Sequence, residues 1–353
     1  EVEGITYNTI SVENFPLPMS SEYSAGFPSI PFTAQTFLLP PDIAIDTIII
    51  TAASWDTLPG RYYLYPAQSG SMEDTTFALP DPEVYSSDDP FPSQPVMITR
   101  QGTAMGYSVA SLSGTPIRYI PKDSLLMVLT SVSLNIQTCN SEFERIVPIR
   151  ETEWSASIRE RGILSLVSNP SAIRFYQQPI LLSYSDRTTP LNILDSPSLE
   201  GDGVDMVIIT SGPIGSGPDL TSAFQNLADY RTAQGIITII RTVDWIDNLY
   251  NGCDIQEKIR NFIGDAHEQW GVQAVLLGGD DWIVPIRECG SYYPADDYYS
   301  DIDGDWKHLY GYYWKAPTDD YYVDLILGRW PVDNSDDVDL ILPKLKLYEW
   351  PEV

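Results

Sequence analysis

Five aspartates, Asp296, Asp297, Asp301, Asp303 and Asp305, fall within ten residues of one another. Carboxylates crowded in this way raise one another's pKa unless a cation joins them, and calcium suits such a site because it takes roughly six to eight oxygen ligands in flexible geometry. Gly304 permits a sharp turn in their midst. Asp301, Asp303 and Asp305 match positions 1, 3 and 5 of an EF-hand loop, but Trp306 stands at position 6 in place of glycine and Tyr312 at position 12 in place of glutamate. The five aspartates are therefore candidate ligands of a calcium site of another kind, and the competing reading is a solvated acidic loop. Tyr292, Tyr293, Tyr298, Tyr299, Tyr310, Tyr312 and Tyr313 surround them, suited either to packing the loop or to forming a contact surface.

Nucleophilic thiol chemistry needs a cysteine within hydrogen-bond reach of a histidine. The chain offers Cys139, Cys253 and Cys289 against His267 and His308. His267 falls in a helical pattern beside Glu268 and reads as a solvated surface residue, while Cys139 and Cys253 read as small buried apolar side chains. Cys289 and His308 both follow one strand pattern, yet no glycine-rich turn able to hold an oxyanion adjoins either, so no catalytic residue is assigned. Three widely spaced cysteines allow at most one bridge and show no C-x-x-C metal spacing. Gly212-Pro-Ile-Gly-Ser-Gly217 lies where a phosphate loop would lie, but it lacks the Walker lysine and the G-x-G-x-x-G order. It reads as a turn feeding a helix capped near Asp219.

The elements that must position these residues change character along the chain. Residues 33–137 carry short β-rich runs such as 46–51, 61–65 and 125–136, alternating at period two and broken by Pro, Gly and Asp. That pattern predicts an all-β sandwich over 1–150. From 204 onward strand patterns at 204–210, 236–241, 274–278 and 323–328 alternate with helical patterns at 219–234, 254–270 and 336–349. Alternation of this kind predicts an α/β subdomain with a parallel sheet over 204–353. Residues 151–203 read as a connecting segment, its second half a linker open to proteolysis between 183 and 203, with Arg187 a natural cleavage point.

Bulk composition narrows the function classes. At 353 residues the chain is long enough for two cores. A formal net charge of -29 argues against nucleic-acid or anionic-lipid partners and in favour of cations. No apolar run reaches the length of a membrane span, and the Asp-, Asn-, Gly- and Tyr-rich loops with little Lys fit an extracellular protein. Glu1 is either a mature end after signal cleavage or an arbitrary boundary.

Two sets of motifs then carry a resemblance. The first is Gly26-Phe-Pro-Ser-Ile-Pro31, Thr36-Phe-Leu-Leu-Pro-Pro-Asp42, Tyr63-Leu-Tyr-Pro66, Gly106-Tyr-Ser-Val-Ala110 and Tyr119-Ile-Pro121. The second is Leu276-Leu-Gly-Gly-Asp280 with Val284-Pro285, Tyr298-Tyr-Ser-Asp-Ile-Asp-Gly-Asp-Trp306, Leu327-Gly-Arg-Trp-Pro-Val332 and Tyr348-Glu349. Together they resemble the gingipain-type cysteine peptidases, peptidase family C25: the first set its β-sandwich prodomain, the second the first subdomain of its caspase-like catalytic domain. The resemblance implies a secreted or cell-surface zymogen with calcium in the catalytic domain. In the family the catalytic His, typically in a His-Gly pair, and the nucleophilic Cys come from a second subdomain, and neither has a counterpart among these residues. This chain by itself is thus expected to be inactive, its partner being a second catalytic subdomain or its own C-terminal continuation, with protein or peptide substrates for the full enzyme. The rival expectation is a non-catalytic extracellular structural or adhesive module, able to self-assemble, that keeps the fold.

Overall fold

The computed structural model describes residues 4–11, 24–68, 76–176, 203–214, 217–289, 293–308, 314–315 and 322–349. Two compact units emerge, and the chain alternates between them. The first comprises Glu1–Gln101, Val109–Glu142 and Val167–Ala172, and the second Gly102–Ser108, Phe143–Leu166 and Ile173–Val353.

The first unit is built on antiparallel pairing. Its elements are β1 (Thr33–Leu38), β2 (Ile43–Thr57), the single-turn helix α1 (Pro82–Tyr85), β3 (Val96–Ala104), β4 (Tyr107–Gly114), β5 (Ile117–Ile120) and β6 (Leu125–Asn140). They form two three-stranded sheets, ordered β1-β4-β3 and β2-β6-β5. The run at 61–65 makes an isolated bridge, Leu64 with Asn8, instead of a strand. One core gathers Ile30, Leu64, Tyr85, Ile117, Tyr119 and Leu126, with the Tyr85 hydroxyl donating to the Leu64 carbonyl at 2.9 Å. The β3–β4 hairpin turns on Met105 (φ 53°) and Gly106 (φ 74°). Positive φ at both central positions is the type I′ requirement, which glycine meets freely and methionine at a cost of about 1–2 kcal/mol.

The second unit carries α2 (Glu153–Leu166), β7 (Met206–Thr210), α3 (Thr221–Ala233), β8 (Thr238–Thr242), α4 (Val243–Leu249), α5 (Ile255–Trp270), β9 (Ala274–Gly278), β14 (Ile326–Trp330) and α6 (Ser335–Glu349). Among the described residues, four two-residue strands intervene: β10 (Glu288–Cys289), β11 (Tyr293–Pro294), β12 (Lys307–His308) and β13 (Trp314–Lys315). The main sheet is parallel in the order β14-β9-β7-β8. Its central strands β7 and β9 are near-continuous buried runs, as strands covered on both faces must be, while the edge strand β14 is partly exposed. Phe224, Leu227, Ile259, Phe262, Ile263 and Ala266 bring the apolar faces of α3 and α5 onto that sheet. Asp254 caps α5 by accepting from the Glu257 amide at 2.9 Å, and Gly271 ends the helix in the left-handed region at φ 78°.

Expectation and structure differ at 151–203. The first part of that segment is not a connector. It forms α2, and Phe143–Leu166 belongs to the second unit. The reason is a buried carboxylate: Asp205, 0% exposed, accepts from Thr152 Oγ1, from Ser155 Oγ at 2.7 Å and from the Ile237 amide at 2.7 Å. An ion buried in a core demands donors, and the start of α2 supplies two of the three. The expected linker proper, with Arg187, lies outside the described residues.

Candidate metal centre

The acidic loop leaves a 3-10 turn at Asp296–Tyr299 and is fastened from below by aromatic burial. Tyr298, Tyr299 and Trp306 join the core of the second unit at 1%, 0% and 8% exposure, and the Tyr298 and Trp306 rings meet edge-on at 5.1 Å. Asp301 is consequently pulled inward, to 4% exposure. Its Oδ1 accepts from the Gly304 amide at 2.8 Å and its Oδ2 from Trp306 Nε1 at 2.9 Å. A β-carbon at residue 304 would collide with that carboxylate, which makes glycine obligatory there.

Asp301, Asp303 and Asp324 each turn a carboxylate oxygen to a common point, all three within 4.8 Å of one another. Asp324, 1% exposed, precedes β14 and clasps the loop: its amide donates to the Ser300 carbonyl at 2.8 Å and its Oδ2 accepts from the Ile302 amide at 2.9 Å. Asp303 accepts from the buried hydroxyl of Thr103 through Oδ2, while its Oδ1 is buried and meets no donor. Arg260 of α5 stands close by, but its guanidinium is directed at the carbonyls of Asp301, at 2.7 and 3.0 Å, and of Gly304, at 2.8 Å. It orders the loop without pairing with the carboxylates.

The electrostatics follow from this crowding. Burial first, and then the charge of Asp303, push Asp301 up to about 6. Burial likewise raises Asp303, against the opposing bond from Thr103. An all-oxygen set, with one carboxylate oxygen lacking any donor, fits a hard divalent cation and not a soft one.

Of the five aspartates read from the sequence, the structure brings together two, Asp301 and Asp303. Asp296 is taken by Arg329 through paired bonds of 2.6 and 2.7 Å, and Asp305 pairs at 2.8 Å with Lys307 in the open. Asp297 contributes its carbonyl, which accepts from the amides of Ser300 and Asp301, both at 3.0 Å. Asp324 and Thr103 were not legible as members. A lone acid inside the apolar run 323–328 was the only sign of the first, and nothing local marks a threonine so distant in the chain.

Among the described side chains no thiol and imidazole are brought together as a dyad. His267 is not a surface residue: it is 0% exposed, because the chain folds back after Gly271 and the Val272 carbonyl receives Nδ1 at 2.8 Å. Cys139 and Cys253 are exposed and not buried, the first near the end of β6 and the second in the turn before α5. Cys289 and His308 both align with Trp314 of β13, on its two sides. Two strand spacings put their backbones about 9–10 Å apart. Burial and the charge of Asp297 also raise the Cys289 thiol, which disfavours the thiolate.

The sequence model of peptidase family C25 matches residues 200–352. This segment is similar to peptidase family C25. The C25 segment thus contains β7 to α6 and all three clustered aspartates, while Thr103 lies outside it. No curated protein matches the chain in sequence. Among solved structures, the complex of pro- and mature domains of Porphyromonas gingivalis RgpB matches at TM-score 0.33 and 12% identity, over 43% of this chain and 77% of the other. A structure on the zymogenic latency of gingipain K from the same organism matches at TM-score 0.30 and 15% identity, over 35% and 71%.

Proposed function

We propose that this chain is the N-terminal portion of a secreted gingipain-like cysteine endopeptidase zymogen, a latency region followed by the scaffold subdomain of the peptidase. The observation that carries this reading is the C25 segment itself, joined to the separation of Cys289 from His308 within it. A peptidase of this class attacks the peptide carbonyl with a thiolate next to an imidazole. Neither partner of such a dyad is assembled among the described residues, so a further subdomain supplies them in the whole enzyme. The antiparallel first unit corresponds, in this reading, to a prodomain sandwich and the parallel second unit to half of a caspase-like domain.

Calcium belongs to the same proposal. Asp301, Asp303 and Asp324 would hold it, and its chemistry would be structural: a divalent charge would convert the repulsion of two buried carboxylates and one half-buried carboxylate into coordination. The chain's own residues do the rest, with Trp306 and Gly304 orienting Asp301, Ile302 orienting Asp324 and Thr103 orienting Asp303.

The test compares the 353-residue chain with the product of its complete reading frame. The complete product should hydrolyse peptides in a thiol-dependent manner, and the chain alone should not. Turnover by the chain alone that Cys289→Ala abolishes would overturn the reading. A complete product without any peptidase activity would favour the adhesive module.

A further inference from the structure

The turn of the β3–β4 hairpin, Gly102–Ser108, is part of the second unit although it precedes the C25 segment by roughly a hundred residues. It is deeply enclosed: Thr103, Ala104, Tyr107 and Ser108 are 1%, 2%, 5% and 2% exposed. Three of its backbone groups are held by side chains. Arg145 donates to the Gly106 carbonyl at 3.1 Å, Arg159 to the Met105 carbonyl at 3.4 Å, and the Ser108 amide donates to the Tyr176 hydroxyl at 2.9 Å. A side-chain bond reaches from the turn to the acidic loop, Thr103 Oγ1 to Asp303 Oδ2. Asp303 therefore has two obligations. One oxygen receives the turn and the other, buried without a donor, faces the carboxylate cluster.

We propose that cation binding at Asp301, Asp303 and Asp324 and docking of the Gly102–Ser108 turn are thermodynamically coupled through Asp303, so that calcium clamps the turn into the second unit. This rests on the calcium reading given above. The physical basis is rotamer sharing. A cation on Asp303 Oδ1 fixes the carboxylate in the orientation that accepts from Thr103, and the Thr103 hydroxyl fixes the same carboxylate in the orientation that meets the cation. Each event removes conformational freedom that the other would otherwise have to remove. By linkage the two affinities rise by the same factor, and a coupling of this sort amounts to about fivefold or more. The consequence is a turn whose hold on the second unit depends on calcium.

The experiment uses the full chain. Calcium affinity is measured by titration calorimetry, and hydrogen–deuterium exchange is followed in residues 102–108 and 301–306 with calcium or with chelator, for the parent, Thr103→Val and Thr103→Ser. In the parent, calcium should slow exchange in both segments. Thr103→Val, equal in volume but unable to donate, should bind calcium at least about fivefold more weakly. It should lose the calcium-dependent protection of 102–108 while keeping that of 301–306. Thr103→Ser, which restores the hydroxyl, should restore the coupling and guards against a folding defect. Parental calcium affinity in Thr103→Val, together with protection of 102–108 indifferent to calcium, overturns the coupling and leaves the calcium site standing. If the parent binds no calcium, both fall.

Discussion

Two regions of the second unit bury carboxylates, and they do so under opposite terms. Asp205, at the entry to β7, is encircled by donors: two hydroxyls from the start of α2 and one amide from the chain entering β8. Asp301, Asp303 and Asp324 accept from donors too, but each also offers an oxygen within 4.8 Å of the other two, and Asp303 Oδ1 is buried without a donor. A buried carboxylate supplied with donors is a fixed rivet that needs no further partner, whereas a buried set in mutual repulsion is incomplete until positive charge arrives. The comparison shows how one fold makes one acidic position unconditional and another conditional on its surroundings.

The sharpest break of that comparison is Asp205→Ala. Three donors would lose their acceptor at once, and at about 1–3 kcal/mol for each buried unsatisfied group the loss should come to about 4 kcal/mol, equal with calcium and with chelator. Urea unfolding under both conditions checks it, and a loss confined to the calcium-free protein would dissolve the distinction between the two regions.

Next in size is the response of the acidic loop. At a hundredfold excess over Kd, calcium should add about 2.7 kcal/mol to the parent. For a unit of this length the melting temperature should rise by about 5–10 °C. Magnesium should do less, since it demands tight octahedral geometry. The combined variant Asp301→Ala and Asp303→Ala should lose the shift. Calcium that leaves the parent's melting unmoved, or a double variant that retains the full rise, would show that Asp301 and Asp303 do not bind calcium.

A smaller effect comes from His267, which stands between the two extremes. Its Nδ1 donates to the Val272 carbonyl, its Nε2 has no hydrogen-bond partner, and burial holds its pKa below the ordinary value of a histidine. With the folded pKa depressed, the neutral form is the one the fold prefers, so stability is intact above about pH 6.5 and is lost as pH falls below it. Stability should therefore fall as pH drops from 6.5 to 5.5. Denaturant midpoints in saturating calcium should show that slope in the parent and a flatter one in His267→Gln. Equal slopes would remove His267 from the acid response.

The smallest change should be Asp305→Asn. Its ion pair with Lys307 lies in solvent, with side chains 71% and 66% exposed. Such a pair is worth little, so stability should stay within about 0.5 kcal/mol of the parent and the calcium shift should be unchanged. A lost shift would return Asp305 to the ligand set.

What could be read beforehand follows from the range of the forces involved. The parallel sheet was legible because buried strands such as 206–210 and 274–278 are almost entirely apolar, and helices such as 255–270 announce themselves by apolar spacing and by caps at Asp254 and Gly271. Asp301 and Asp303 were legible because crowding of like charges is a local fact. Asp324, Thr103 and the placement of α2 were not, since each depends on a partner far along the chain: Ile302, Asp303 and Asp205. The same reason misplaced His267, whose burial is decided by the return of the chain after Gly271 and not by its own helix.

The alternation of the chain between its units bears on how such a protein can be rearranged over evolutionary time. A cassette that recombination can move must be cut out by two breaks, one at each end. The second unit cannot be, because its hairpin turn and α2 are threaded through sequence that otherwise builds the first. A gene fragment beginning at residue 204 would encode every strand of the parallel sheet and yet leave Asp205 without the hydroxyls of Thr152 and Ser155, and Asp303 without that of Thr103. A lineage that kept only the sequence from residue 204 onward would have to find new donors for both acids.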